Sequence, residues 1–153
     1  MHIEVYREDR SLLLPLFDLS DDSRTQICSY ICRGEVLVAR DEDKAIGHLQ
    51  IIETDAVGVF ELKSMAVEEN HRGRGIGHRL VETAVIRCRI HNGRRLFVST
   101  ATADIGNLRF YQRQGFRMYR IVQDAFTPEN GYAAGVLIDG IPLRDQVFLE
   151  RYL

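Results

Sequence analysis

Three glycines alternate with other residues in the segment Arg72-Gly73-Arg74-Gly75-Ile76-Gly77, which lies between an apolar run and a helical pattern. Glycine lets a backbone turn tightly and approach a ligand closely. The first amides of a helix have no acceptor within the helix, and they lie at the positive end of its dipole. Arginine adds a full positive charge that can hold an anion through two hydrogen bonds. The segment therefore predicts a binding site for a polyanion such as a pyrophosphate.

Two common phosphate-binding motifs do not fit this segment. A P-loop needs four residues between its glycines and then Gly-Lys-Ser/Thr, and the segment has neither the lysine nor the hydroxyl residue. A dinucleotide-binding fingerprint needs the spacing G-x-G-x-x-G after the first strand of a βαβ unit. Here Gly73, Gly75 and Gly77 are evenly spaced and follow three consecutive strand-like runs. The pattern that remains is Arg-x-x-Gly-x-Gly.

Positive charge is concentrated around the glycine segment. The chain of 153 residues has a formal net charge of −2, but residues 71–120 contain eleven Arg, no Lys and only Glu82 and Asp104 as acids, a net charge of +9. The remaining residues carry −11, from seven Arg and two Lys against twenty acids. This distribution favours an anion near the middle third of the chain. A nucleic acid is not predicted as a partner, because the whole chain is slightly acidic and its basic residues do not alternate with aromatic ones.

Several other classes of protein are disfavoured by the composition. No apolar run reaches the length of a membrane span, so no membrane partner is predicted, and Met1-His2-Ile3-Glu4 lacks the features of a signal peptide. The sequence therefore predicts a cytoplasmic protein. Its three cysteines form no CxxC motif, so neither a metal site nor a disulfide framework is expected. Cys28 and Cys32 lie one helical turn apart, and we expect them on a buried helix face.

Strand-like and helix-like segments alternate without a repeat or a linker, which predicts one α/β domain over residues 1–153. The long helix after the glycines has apolar residues every three or four positions, and Ser20, Asp21 and Asp22 are candidate caps of an earlier helix. Residues 123–135 are expected to form a loop. Strands are predicted at His2–Tyr6, Glu35–Arg40, Ala45–Glu53, Gly58–Val67, Arg95–Ser99, Phe116–Val122, Val136–Ile138 and Gln146–Leu149, and helices at Arg10–Asp18, Ser20–Cys32, Gly75–His91 and Ile105–Gln114.

The glycine segment follows a Met-Ala-Val strand and precedes Phe110-Tyr111-Gln112-Arg113-Gln114-Gly115-Phe116 by some thirty residues. This combination resembles the GNAT superfamily of acyl-CoA-dependent N-acetyltransferases, and the order of elements is similar as far as about residue 122. The resemblance implies a fold of the α+β type, with a mixed, mostly antiparallel central sheet flanked by helices. It also implies acetyl-CoA as co-substrate and no metal.

The resemblance assigns the cofactor contacts to particular residues. The backbone of Arg72, Gly73, Arg74, Gly75, Ile76 and Gly77 would bind the CoA pyrophosphate. The strand Met65, Ala66 and Val67, separated from its neighbour by a bulge, would bind the pantetheine arm as a peptide would. The family often has an Asn seven residues before the Tyr, but Asp104 stands there, and a negative charge does not suit a polyphosphate. Asn107 is a candidate substitute.

Two residues are candidates for the proton transfers of such a reaction. The resemblance implies that Tyr111 lies near the CoA sulfur, where a phenol can protonate a departing thiolate. The alternative for Tyr111 is an ordinary core aromatic beside Phe110 and Phe116. Glu61 lies where many family members have an acid, and it would accept a proton from the amine. The alternative for Glu61 is an ion pair with a neighbouring Arg or Lys63.

The predicted function is direct transfer of an acetyl group from acetyl-CoA to a primary amine of a small molecule or a peptide. The competing hypothesis is a non-catalytic acyl-CoA-binding regulatory module, which Asp104 favours. The acidic balance outside residues 71–120 favours a cationic acceptor. The residues leave the acceptor's identity open, and a homodimer is retained as a candidate assembly.

Overall fold

The computed structural model describes all residues from Met1 to Leu153. The chain forms nine strands and four α-helices, with short 3-10 turns at Arg10–Leu13, Glu69–His71 and Pro128–Asn130. The strands are β1 (His2–Val5), β2 (Glu35–Asp41), β3 (Lys44–Glu53), β4 (Val59–Val67), β5 (Arg95–Ala101), β6 (Arg117–Val122), β7 (Leu137–Ile138), β8 (Ile141–Pro142) and β9 (Gln146–Tyr152). The helices are α1 (Leu14–Asp18), α2 (Arg24–Tyr30), α3 (Ile76–Ile90) and α4 (Ile105–Arg113).

Seven strands form one sheet in the order β1-β2-β3-β4-β5-β9-β6, and β7 and β8 form a separate hairpin. All neighbouring strands are antiparallel except β4 and β5, which run parallel. The predicted mixed, mostly antiparallel sheet is therefore confirmed. The final strand, predicted at Gln146–Leu149, extends to Tyr152 and inserts between β5 and β6.

Apolar side chains cover both faces of the sheet. On one face, α3 buries the residues that its spacing predicted, namely Ile76, Leu80, Val81, Ala84, Val85 and Cys88. They pack against Leu37, Leu49 and Leu62 of the sheet in the larger core cluster. On the other face, Phe17 of α1 and Ile27 of α2 belong to a second cluster that covers β2 and β3. No helix is both long and apolar enough to cross a membrane.

The second helix differs from its prediction at both ends and in its buried face. It begins at Arg24 because Ser23 is the N-cap, with Oγ accepting a hydrogen bond from the amide of Gln26 at 3.1 Å, so Ser20, Asp21 and Asp22 are not the caps. Ile27 and Tyr30 face the core, which turns Cys28 outward. The prediction that Cys28 and Cys32 are buried is wrong, since both are exposed and only Cys88 is buried.

Candidate active site

The glycine segment presents an open, uncapped helix start. Gly73 and Gly75 both have φ of +76°, a conformation that favours glycine, and a Cβ at either position would meet no atom within 4 Å. Gly75 directly precedes α3, and no side chain caps the helix. The first amides of α3 therefore remain free for a ligand at the positive end of the helix dipole.

The two arginines of the segment keep their charges free. Arg72 and Arg74 are exposed and form no ion pair within the chain. Nε of Arg72 donates a hydrogen bond to the backbone oxygen of Val67 at 2.9 Å, which attaches the segment to the end of β4. The arrangement suits a polyanion, because two charged donors and free backbone amides lie within six consecutive residues.

The other two residues of the segment face inward. Ile76 is buried in the larger core cluster, so only its backbone can face a ligand. A Cβ on Gly77 would lie 3.1 Å from both Met65 Cε and Phe110 Cε2. Gly77 therefore serves the close packing of α3 against β4 and α4.

Strands β4 and β5 separate halfway along their length. Their parallel pairing runs from Val59 with Arg95 to Leu62 with Val98, whereas β4 continues to Val67 and β5 to Ala101 without further pairs. The register between β3 and β4 shifts at the same level, because Gln50 faces Ser64 and Ile51 faces Leu62. Lys63 is the extra residue of this bulge. We call the opening between the unpaired parts of β4 and β5 the fork.

The fork leaves one edge of Met65-Ala66-Val67 without a strand neighbour, while β3 pairs with the other edge. An unpaired strand edge offers backbone donors and acceptors to any extended chain with amide groups. The bulge and the separation of the strands, which the resemblance implied, are both present. The fork and the free start of α3 lie at successive positions along the chain, joined only by residues 68–75.

Tyr111 lies in the core at the α4 side of the fork. It is 6% exposed, and its ring meets those of Phe110 and Phe116 edge to face, with centroids 5.2 and 5.6 Å away. The same core cluster contains Leu62 and Val98, the last pair before the fork. Burial, and secondarily the charge of Asp104, raises the pKa of Tyr111. The phenol therefore stays protonated at neutral pH.

Asp104 has a local structural role. Its Oδ1 accepts a hydrogen bond from the amide of Asn107 at 2.9 Å, which makes it the N-cap of α4. The side chain of Asn107 in turn donates from Nδ2 to Thr100 Oγ1 at 3.1 Å, on the unpaired part of β5. Asn107 thus lies beside the fork.

Glu61 lies one residue before the fork, on the sheet face that α1 and α2 cover. Its Oε2 is 4.0 Å from Nζ of Lys63, and its side chain is 22% exposed. Nζ of Lys63 also lies 4.9 Å from the ring centroid of Tyr30. Tyr30 donates its hydroxyl hydrogen bond to Asp21 Oδ2 at 2.9 Å, and burial followed by the charge of Asp21 raises the pKa of Tyr30. Tyr30, which contacts Lys63, and Asp21, which binds Tyr30, were not predicted as parts of this group, because they come from a distant helix and loop.

A buried histidine, His48 of β3, lies between the sheet and α1. Nε2 of His48 is 2.8 Å from Ser64 Oγ, which is 2.6 Å from Ser20 Oγ, and the imidazole stacks on Phe17. Burial lowers the pKa of His48 to about 3. His48 therefore remains neutral and cannot collect a proton during a reaction near neutral pH.

Comparison with known proteins agrees with this geometry. Residues 4–116 match the model of the Acetyltransferase (GNAT) family. The uncharacterized N-acetyltransferase YvbK of Bacillus subtilis is 30% identical over 149 residues, which cover 97% of this chain and 94% of that protein.

Two solved structures are similar over nearly the whole chain. A Bacillus subtilis acetyltransferase in complex with CoA is 29% identical, with a TM-score of 0.88 and coverage of 99% of this chain and 97% of that one. A GNAT family acetyltransferase from Elizabethkingia anophelis with acetyl-CoA bound is 26% identical, with a TM-score of 0.90 and the same coverage.

The chain belongs to the GNAT family of acetyltransferases. The predicted fold and the predicted class of enzyme, an acetyl-CoA-dependent N-acetyltransferase, are thereby confirmed. The competing hypothesis of a non-catalytic module is not favoured. Asp104 suggested that hypothesis, and its role as the N-cap of α4 accounts for an acidic residue at this position.

Proposed function

We propose that the protein holds acetyl-CoA between the start of α3 and the fork, and passes its acetyl group directly to a primary amine. The single observation that carries this proposal is the opening of β4 and β5 after Leu62 and Val98, directly beside a helix start with free amides. In this arrangement the backbone of Arg72–Gly77 would bind the pyrophosphate, and Met65-Ala66-Val67 would bind the pantetheine arm. Asn107 would contact the cofactor from the β5 side.

The amine must lose a proton before its nitrogen can attack a carbonyl carbon. Glu61 is our candidate for this proton transfer, because its partly exposed carboxylate lies just before the fork. Direct transfer would derive its rate from orientation of the two substrates and from backbone donors that polarise the carbonyl. Tyr111 would supply a proton to the sulfur that leaves, from the opposite side of the sheet.

We propose a cationic amine of a small molecule or a peptide as the acceptor. Asp21, Glu61 and the ammonium of Lys63 together carry a net charge of −1 on the sheet face that α1 and α2 cover, where Tyr30 contacts Lys63 with its ring and Asp21 with its hydroxyl. Such a site attracts positive charge. The cytoplasmic location and the homodimer stay predictions.

The proposal is tested by calorimetry with acetyl-CoA, followed by an assay of CoA release over a panel of small amines and peptides. We expect binding and acetylation of at least one cationic amine. Glu61→Gln should lower turnover about a hundredfold, the lower range for general acid–base catalysis, with unchanged acetyl-CoA affinity. Glu53→Gln is the matched control, because Glu53 is an exposed carboxylate on β3. Unchanged turnover in Glu61→Gln would remove Glu61 from the mechanism.

A further inference from the structure

Lys63 stands at the mouth of the fork and carries a primary amine. It is the bulge residue of β4 and the first residue after the last pair with β5. Its ammonium lies between the Glu61 carboxylate, 4.0 Å away, and the Tyr30 ring, 4.9 Å from the centroid, and its side chain is 32% exposed. A carboxylate and an aromatic ring together form a site that suits a primary ammonium. The chain's own lysine therefore lies where we propose that an external amine approaches.

We infer that Lys63 is an internal acceptor, so that the protein acetylates its own Lys63. This inference rests on the proposed function, because it uses the same acetyl donor and the same proton acceptor. Glu61 takes one proton from the ammonium, which frees the lone pair of Nζ. A bond forms between Nζ and the acetyl carbonyl carbon, and the bond between that carbon and the CoA sulfur breaks. The sulfur receives a proton from Tyr111, and the second proton lost by the attacking nitrogen passes through solvent to the Tyr111 phenolate. Glu61 returns its proton to solvent, so the products are N-acetyl-lysine, CoA and one released proton.

Acetylation would remove the positive charge of Lys63 from the acceptor site. An amide at Nζ carries no charge, so it loses both the ion pair with Glu61 and the cation–π contact with Tyr30. The Glu61 carboxylate is then free to meet an external ammonium. The modified protein should accordingly have a lower KM for cationic amines than the unmodified protein.

The chain contains a natural control for unspecific chemical acetylation. Lys44 is its only other lysine. The side chain of Lys44 is 68% exposed, and its Nζ pairs with Glu68 at 3.0 Å at the start of β3. If acetyl-CoA modified lysines simply by exposure, Lys44 would react faster than Lys63.

The test incubates the full chain with acetyl-CoA and no added amine, and follows each lysine by proteolysis and mass spectrometry. We expect acetylation of Lys63 at least tenfold faster than of Lys44, with a rate constant that does not change on dilution of the protein. Lys63→Arg should abolish the fast modification, and Lys44→Arg should leave it intact. Tyr111→Phe should slow the modification of Lys63 and leave that of Lys44 unchanged.

The outcomes separate this inference from the proposed function. If an external amine is acetylated while Lys63 stays unmodified, the inference is wrong and the proposed function stands. If neither is acetylated, the proposed function fails as well. Equal rates at Lys63 and Lys44, insensitive to Tyr111→Phe, would identify adventitious chemistry and overturn the inference. A rate constant that rises with protein concentration would overturn transfer within one chain.

Discussion

Arg72 and Val67 are joined by a hydrogen bond of 2.9 Å, from the guanidinium Nε to the backbone oxygen. The bond links the segment proposed to bind the pyrophosphate to the end of the strand proposed to bind the pantetheine arm. Because it occupies only Nε, the two terminal nitrogens of Arg72 remain free for an anion. A side chain that belongs to the loop thus positions the loop relative to β4.

Gly75→Ala should weaken acetyl-CoA binding in addition to destabilising the fold. An alanine at φ +76° costs about 1–2 kcal/mol of stability, and its Cβ would occupy the open surface above the helix start. We expect the dissociation constant in calorimetry to rise by about tenfold or more, which corresponds to about 1.4 kcal/mol.

Gly140→Ala is the matched control for that variant. Gly140 has φ of +82° and equally open surroundings, but it lies in the turn between β7 and β8. It should show the same loss of stability in thermal unfolding with unchanged affinity. Equal affinities of the two variants would contradict the proposed pyrophosphate site.

Tyr111→Phe should reduce turnover about a hundredfold and cost less than about 1 kcal/mol of stability. The ring contacts with Phe110 and Phe116 remain, and only the hydroxyl is lost. Steady-state kinetics and urea unfolding measure the two effects. Tyr152→Phe, at a 72% exposed residue, should change neither. Full activity of Tyr111→Phe would leave Tyr111 as a core aromatic alone.

Asp104→Asn should keep the stability of the protein, because Asn caps a helix about as well as Asp does. Removing the negative charge should leave acetyl-CoA affinity equal or higher, if Asn107 makes the contact. Asp104→Ala should lose about 1 kcal/mol, since the hydrogen bond to the amide of Asn107 disappears. Chemical unfolding and calorimetry distinguish these effects, and a loss of affinity in Asp104→Asn would give Asp104 a direct role.

His48 should make the protein sensitive to mild acid. The pKa of His48 is about 3 in the folded chain and about 6.5 in the unfolded chain. Below pH 6.5 the unfolded chain therefore binds a proton at His48 that the folded chain does not bind. The contribution of neutral His48 to the free energy of unfolding is therefore complete above pH 6.5 and decreases as the pH falls below 6.5. Between pH 7 and pH 5 the loss should be about 2 kcal/mol, from about 1.4 kcal/mol per pH unit below the unfolded pKa.

His48→Gln should flatten that pH dependence in urea unfolding, because glutamine can still bond to Ser64 but does not titrate. His2→Gln, at an exposed histidine, should keep the wild-type slope. The same slope in His48→Gln and the wild type would refute the assignment to His48.

Local patterns predicted the parts of the site that depend on neighbours in sequence. The spacing of apolar residues identified the buried face of α3, and the glycines identified its open start. The apolar pattern of α2 was less decisive, because Cys28 and Cys32 are as acceptable in a core as Ile27 is. Packing against β2 and β3 selected Ile27 and Tyr30, so the cysteines face outward.

The sequence by itself determined the family, the glycine-rich start of α3 and the alternation of strands and helices, because each depends on motifs and spacings that are local in the chain. Only the tertiary structure decided that β9 separates β5 from β6, and that Tyr30 covers Lys63 beside Glu61. These relationships join residues far apart in the chain. They depend on which faces of the helices and strands pack against each other. This packing is a property of the assembled sheet, and no single segment determines it.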